Sequence, residues 1–272
     1  MSYLENLFKL KDKVAVITGG AGFLGSVFSE SLAKCGVKTA ILDLDREICE
    51  KKANDLSNNF AGSIGLSCDI TSKKDVVKSL EQILDRFNKV DVLVNCAATS
   101  TTTIAAKIDR AMMEAFENYD LDVWKEVLSC NITGMFLCCQ AYGSQMVKQG
   151  GGNIINISSI YGVVAPDQRI YPDRSKMNTP AAYSVTKGGV VMMTRYLATY
   201  WAEKRVRVNC LTLGGVFNHQ DSEFVKNYAN RVPMGRMAER EEVVGAMLLM
   251  ASDASTYMTG HNLIVDGGWT VW

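Results

Sequence analysis

Residues 14–25, VAVITGGAGFLG, constrain this chain more than any other stretch. A short β-branched run, 14–18, stops at Gly19-Gly20-Ala21-Gly22-Phe23-Leu24-Gly25. A helical pattern follows over 24–35 and closes at Gly36. A strand that passes through a glycine turn into a helix is the context in which such glycines carry meaning. The glycines let the backbone turn tightly and bring a helix N-terminus, with its free N–H groups, against a pyrophosphate. An ordinary glycine-rich strand–helix turn is the plain alternative.

The same alternation continues along the chain. Residues 37–42 read as a second strand ending in Asp43, and 63–68 as a third closed by Asp69-Ile70. Residues 91–95 read as a fourth that ends at Asn95 and runs into Cys96-Ala97-Ala98. Helical patterns fill the gaps over 46–58 and from a Thr71 cap to Phe87. Residues 153–157, 205–211 and 261–265 supply three further strands. Strands alternating with helices of this length mean a doubly wound α/β fold, a parallel sheet with helices on both faces. In such sheets the ligand lies beyond the carboxyl ends of the strands, where the strand order reverses. Thr18-Gly19, Asp43, Asp69 and Asn95 all fall at those ends. Asp43 lies close to twenty positions beyond the glycines, where an acidic residue accepts hydrogen bonds from the adenosine ribose hydroxyls. It also repels a 2′-phosphate, which favours NAD over NADP, although Arg46 is near. A cap for the helix that starts at Arg46 is the other reading of Asp43.

Inside the apolar-striped segment 181–201, Tyr183 and Lys187 are four residues apart, so a helix puts both on one face, one turn apart. An unperturbed phenol titrates near 10 and is a poor base at neutral pH. A cation about 4 Å away, at an effective dielectric near 20, favours the phenolate by about 4 kcal/mol, or about three pKa units. That brings the phenol into the range where it trades a proton with an alcohol or ketone. Taken alone, a surface Tyr and Lys on an amphipathic helix is the simpler reading of Y-x-x-x-K. Ser158-Ser159 at the end of the fifth strand are placed to donate to a substrate oxygen, and equally to serve as turn serines. A long helix over 123–148 carries Asn131-Ile132-Thr133-Gly134 in its middle, where Asn and Gly, weak helix formers, invite a kink.

Three segments are longer than plain connections. Residues 99–122 include a stretch, 104–118, that reads as an extra helix with Met112, Met113 and Phe116, more in the manner of packing than of a binding box. The polar, aromatic loop 162–181 joins the candidate serine to the candidate tyrosine and so shapes the substrate mouth. Residues 214–235 show no strong periodicity and read as a lid on glycine hinges, with His219 as a plain loop residue or a substrate contact.

Composition narrows the partners. Lys+Arg and Asp+Glu balance at 29 each, without a basic run, which speaks against nucleic acid and anionic membrane. Eight scattered Cys with no C-x-x-C pair, and two His, speak against a zinc site and for a reducing compartment. Residues 1–13 lack the apolar core of a secretion signal, and no apolar run approaches membrane-spanning length, so a soluble, cytoplasmic protein is expected. With 272 residues, 47% hydrophobic, one domain over 1–272 is enough to bury its own core.

Thr18-Gly19-Gly20-Ala21-Gly22-Phe23-Leu24-Gly25, Asp69-Ile70, Asn95-Cys96-Ala97-Ala98, Asn131, Ser159, Tyr183-x-x-x-Lys187 and Val265-Asp266-Gly267-Gly268 stand in the order seen in short-chain dehydrogenases/reductases. The resemblance covers essentially the whole chain and is closest to the compact, single-domain branch. Phe23 stands where that branch usually has Gly, Cys96-Ala97-Ala98 replaces the usual Asn-Ala-Gly, and Gly214-Gly215 replaces Pro-Gly before the lid.

The resemblance implies a Rossmann-type sheet of seven parallel strands in the order 3-2-1-4-5-6-7. It implies Tyr183 as acid/base, Lys187 as the group that lowers its pKa and holds the nicotinamide ribose, and Ser159 as the donor to the substrate oxygen. Asn131 resembles the residue whose backbone carbonyl, in a helix kink, holds a water of the proton relay. NAD is the implied cofactor, bound by Gly19, Gly22, Phe23, Leu24, Gly25, Asp43, Asp69, Ile70, Asn95, Ala97, Tyr183, Lys187 and Val216. The loop before Tyr183 and the run from Tyr161 to Pro166 resemble a subgroup of bacterial surface-sugar and flagellin-modification pathways. That implies a small-molecule, sugar-like substrate, a phosphorylated or nucleotide-linked amino sugar. The family's long helices, here 123–148 and 181–202, imply a homotetramer, and the apolar end Trp269-Thr270-Val271-Trp272 suits burial at a subunit contact. An epimerase or dehydratase that recycles its NAD, and a dinucleotide-binding regulator without turnover, are the competing functions; keeping Asn131, Ser159, Tyr183 and Lys187 together favours turnover.

Overall fold

The computed structural model describes residues 2–99, 116–172 and 179–272. Its strands are β1 (Val14–Thr18), β2 (Lys38–Asp43), β3 (Ser63–Ser67), β4 (Val92–Asn95), β5 (Gly152–Ser159), β6 (Val206–Leu213) and β7 (Asn262–Val265). They form one sheet in the order β3-β2-β1-β4-β5-β6-β7, and every pairing is parallel. The order reverses between β1 and β4, which pair directly through Ala15↔Val92 to Thr18↔Asn95.

The helices are α1 (Tyr3–Phe8), α2 (Phe23–Lys34), α3 (Arg46–Asn59), α4 (Lys73–Phe87), α5 (Leu121–Leu128), α6 (Met135–Lys148), α7 (Ala181–Trp201), α8 (Ser222–Ala229) and α9 (Val244–Ala251) among the described residues. Two apolar layers sandwich the sheet. Val14 and Val16 face one, with Ile83 of α4, Tyr142 and Met146 of α6 and Val190 and Trp201 of α7. Ala15 and Ile17 face the other, with Phe28 and Leu32 of α2 and Met247 and Met250 of α9. Successive side chains of a strand point to opposite faces, and both faces are covered. The central strands therefore read as unbroken apolar runs rather than as alternating ones.

Several local expectations are corrected. The cap of α3 is Asp45, whose carboxylate accepts from the Ile48 N–H at 3.0 Å, so Asp43 is released from that role. The cap of α4 is Ser72 rather than Thr71, which bonds Asp69 instead. The single helix over 123–148 is in fact α5 and α6 joined by a π-helical segment, Ser129–Gly134, and the weak formers Asn131 and Gly134 lie within it. The 214–235 segment is not aperiodic throughout, because α8 lies within it and buries Tyr228. Of the expected helix over 104–118, residues 104–115 lie outside the described residues; Phe116 belongs to a 3₁₀ turn, Phe116–Asn118. Trp269 is buried within the chain against Tyr228, with ring centroids 4.6 Å apart, while Val271 and Trp272 are exposed.

Candidate active site

The glycine turn is a cradle that side chains would fill. Gly19 has φ +62°, and a Cβ there would lie 2.8 Å from the Ala97 Cα. A Cβ on Gly25 would lie 2.0 Å from the Gly19 carbonyl oxygen, so only glycine lets α2 start this close to β1. Thr18 ties the two central strand ends together: its hydroxyl accepts from the N–H groups of Cys96 (3.1 Å) and Ala97 (3.2 Å). Gly22 caps α2 without a side chain, so the first N–H groups of Phe23, Leu24 and Gly25 meet no side-chain acceptor from their cap. Positive helix-end charge, free donors and absent Cβ atoms together fit a pyrophosphate.

The neighbouring strand ends carry matching groups. Asp43 accepts from the Ala21 N–H at 3.3 Å and the Leu44 N–H at 2.9 Å, which fixes its carboxylate beside the glycine turn. Arg46 is engaged elsewhere, its Nε 2.7 Å from Glu50. Asp69 is occupied by Thr71, accepting from its N–H at 2.8 Å and its hydroxyl at 2.7 Å. Ile70 is buried against Gly134, where a Cβ would lie 2.7 Å from the Ile70 side chain. The Asn95 side chain turns into the protein, donating to Asn156 at 2.8 Å, so what it can offer a cofactor is backbone. Val216 forms a single parallel bridge with Ala238, which pins the start of the lid.

Beyond β5 the sequence-predicted catalytic groups are held largely by backbone partners. Lys187, buried, donates its ammonium to the Ile157 carbonyl at 3.0 Å and lies 5.6 Å from the centroid of the Tyr183 ring. Ser158 Oγ donates to the Lys187 carbonyl at 2.9 Å, fastening β5 to α7 one residue before Ser159. Ser159 Oγ accepts from the Tyr161 N–H at 3.2 Å, which leaves its own proton to be donated. Asn131, in the π segment, accepts from the Thr99 N–H at 2.7 Å and donates to the Thr99 carbonyl and the Thr186 hydroxyl at 3.2 Å each. Thr186 in turn donates to the Tyr183 carbonyl at 2.8 Å. Helix α7 thus carries two sets of bonds, one from Asn131 through Thr186 to the Tyr183 carbonyl and one from Lys187 to the end of β5.

Between these groups lies a cavity of about 10 Å³, lined by Thr18, Asn95, Asn131 and Lys187 together with Ile70, Ala97, Met135, Ile157 and Val190. It has room for about one water, and Asn95 Oδ1, buried without a protein partner, offers that water an acceptor. A larger hollow of about 420 Å³ sits between α3, β3 and α4, at the sheet edge remote from Tyr183. The small cavity, not the large one, touches Asn131 and Lys187 of the sequence-predicted site. His219 is exposed on the lid with φ +56° and packs against Phe217.

Residues 23–270 match the family model described as enoyl-(acyl carrier protein) reductase. The chain belongs to the short-chain dehydrogenase/reductase family. It is 31% identical to the D-threitol dehydrogenase of Mycolicibacterium smegmatis, across 97% of this chain and 95% of that one. It is 29% identical to the NAD-dependent glycerol dehydrogenase of Listeria innocua, across 97% and 96%. Among solved structures, a short-chain dehydrogenase from Leptospira borgpetersenii with bound NAD+ is 33% identical with a TM-score of 0.83, covering 99% of this chain and 96% of that one. A gluconate 5-dehydrogenase from Burkholderia cenocepacia in complex with NADP and tartrate is 28% identical with a TM-score of 0.83, covering 98% and 99%. Family members so similar carry either nicotinamide cofactor, so membership alone does not choose between them. Sequence reasoning placed Thr18 at a strand end but missed Thr186, because a threonine inside a helix carries no pattern of its own.

Proposed function

We propose that this protein is an NAD(H)-dependent oxidoreductase that interconverts a secondary hydroxyl and the corresponding ketone of a small, free polyol or ketose. The observation that carries the reading is the buried Lys187 ammonium, bonded to the Ile157 carbonyl at the end of β5 and 5.6 Å from the Tyr183 ring centroid, beside the glycine cradle. The substrate class draws on the relatives named for threitol and glycerol. These are free polyols, and no relative cited here is named for a phosphorylated or nucleotide-linked amino sugar.

Bound nicotinamide supplies the acceptor or donor of hydride. The remaining work falls to the chain. Ser159 donates a hydrogen bond to the substrate oxygen and holds it toward Tyr183. Tyr183 takes the hydroxyl proton as the carbon is oxidised and returns one in the reverse direction. Lys187 favours the negative charge that develops on the phenol oxygen, and an ammonium with three donors has two left after Ile157 for a ribose. Asn131, through its backbone carbonyl and a water in the 10 Å³ cavity, passes the proton on.

Asp43 and the engaged Arg46 support NAD over NADP: a carboxylate meets the ribose hydroxyls, and the nearby guanidinium is held by Glu50. The eight thiols, all unpaired, suit a reducing cytoplasm. The test is NAD(H)-linked turnover across threitol, glycerol, longer polyols and their ketoses. Activity on at least one polyol, better with NAD than NADP, is expected. Tight NAD binding with no oxidation of any polyol would overturn the reading in favour of a regulator.

A further inference from the structure

Asn95 ends β4 with its side chain inside the protein, and the way its amide points is settled two residues away in a buried strut. Thr194 of α7 donates its one hydroxyl proton to the Val190 carbonyl at 2.8 Å. Toward Asn156 the Thr194 oxygen can therefore only accept, and Asn156 Nδ2 donates to it at 2.9 Å. That turns Asn156 Oδ1 to Asn95, where it accepts from Asn95 Nδ2 at 2.8 Å. The same nitrogen lies 3.3 Å from the Cys139 sulfur. Asn95 Nδ2 is thus spent inward, and Asn95 Oδ1 is left buried with no partner. Asn95, Asn156 and Thr194 are 6%, 0% and 1% exposed, so solvent does not compete for any of these bonds. A buried carbonyl oxygen is costly unless something donates to it.

The cavity of about 10 Å³ touches Asn95 together with Thr18, Asn131 and Lys187. The other polar side chains there have their accepting capacity taken or have none. Lys187 only donates, and Ile157 takes one of its three protons. The Thr18 oxygen already accepts from two N–H groups. The Asn131 oxygen accepts from the Thr99 N–H, and its nitrogen donates twice. Among the described residues, Asn95 Oδ1 is the side-chain acceptor of this cavity that has no partner, and Lys187 is a donor with protons to spare. A buried water needs neighbours of both kinds.

We propose that Asn95 is a positioning residue for the proton relay: its side-chain oxygen, aimed by Asn156 and Thr194, holds the relay water against Lys187. The water accepts from the ammonium and donates one hydrogen to Asn95, which leaves its other hydrogen for the Asn131 carbonyl. So seated, it solvates the buried ammonium and supports the charge that Lys187 lends to the phenol oxygen of Tyr183. The proposal rests on the functional reading above and adds a residue to it.

A crystal structure of the protein with NAD+ tests the placement without turnover. A water within hydrogen-bond distance of both Asn95 Oδ1 and Lys187 Nζ is expected; a dry cavity, or a water that bonds only other groups, would overturn the proposal. Asn95→Leu combined with Asn156→Leu tests the role. Both amides become apolar groups of similar shape, so neither is left unpaired. With NADH binding retained, kcat/KM for polyol oxidation at neutral pH is expected to fall about tenfold. The pH of half-maximal kcat/KM is expected to rise by about one unit, the worth of one hydrogen bond to a charged group. Besides Tyr183, the titratable groups facing Lys187 are two thiols, and burial pushes Cys96 up to about 12 and Cys210 to about 11, so neither sets that pH. If thermal unfolding shows the double variant to be misfolded, Thr194→Val, which frees the two amides to turn over, takes its place, with a smaller rise expected. A loss of equal size at every pH would mean a structural role and overturn the proposal, as would no loss. Wild-type silence on every alcohol would instead bring down the oxidoreductase reading, and the relay with it, whatever the crystal shows.

Discussion

Lys187 keeps an ammonium inside a helix whose neighbours are mostly apolar, a placement that costs several kcal/mol unless the charge is hydrogen-bonded. The Ile157 carbonyl meets one of its protons at 3.0 Å, which fixes the ammonium beside the Tyr183 ring. Burial so maintained is the mark of a group kept for its charge rather than for packing. Asp43 is a comparable case at the other end of the site. Its carboxylate is held by two backbone N–H groups, and no helix needs it as a cap. Asp43→Ser should leave the fold intact and remove the charge that a 2′-phosphate would meet. The ratio of kcat/KM with NADP+ to that with NAD+ is expected to rise about tenfold or more, and an unchanged ratio would separate Asp43 from cofactor choice.

The π segment shows how an element serves a site. A π turn fits one residue more per turn than the α ladder, so it bends the run and frees a backbone group, the combination a proton relay needs. Asn131 fastens this segment to Thr99 and to α7 through three hydrogen bonds. Asn131→Ala leaves the Thr99 N–H and carbonyl unpaired in a buried place, at roughly 2–4 kcal/mol. Chemical denaturation should show that loss, with turnover falling as well; a variant of wild-type stability would mean that water replaces the side chain. Sequence patterning anticipates part of this. The weak formers 131–134 mark where the helix deviates, because propensity is local, but not that the deviation is a π turn. The seven strands are legible because both faces of the sheet are covered and apolar runs result. Helix α8 is not, since eight residues with Phe224, Val225 and Tyr228 as their apolar side are too short for a period to stand out. That Tyr183 and Lys187 share a helix face is legible from their spacing, but the burial of Lys187 is not, because it comes from tertiary packing. The packing of Tyr161 and Tyr171 on one small apolar core is not legible either, because a loop separates the two and tertiary structure brings them together.

On the scale of the whole molecule, α7 presents an apolar outer face. Val185, Met192, Tyr196 and Tyr200 are all exposed and spaced seven, four and four residues apart, and the rings of Tyr196 and Tyr200 stack at 6.0 Å. Phe136 on α6, Val271 and Trp272 are exposed as well. We propose that the outer face of α7 closes a homotetramer. Light scattering is expected to give the mass of four chains, and Tyr196→Glu with Tyr200→Glu to give smaller species; a wild-type monomer would refute the assembly. The central claim is smaller in scale and concerns one proton. Stopped-time absorbance of NADH formed from a polyol, for wild type and Tyr183→Phe side by side, with NADH binding followed by fluorescence, tests it most directly. The expected result is turnover reduced about a thousandfold in the variant with NADH binding retained, the range for removal of a general acid/base. Turnover in Tyr183→Phe within a few-fold of wild type would contradict the account.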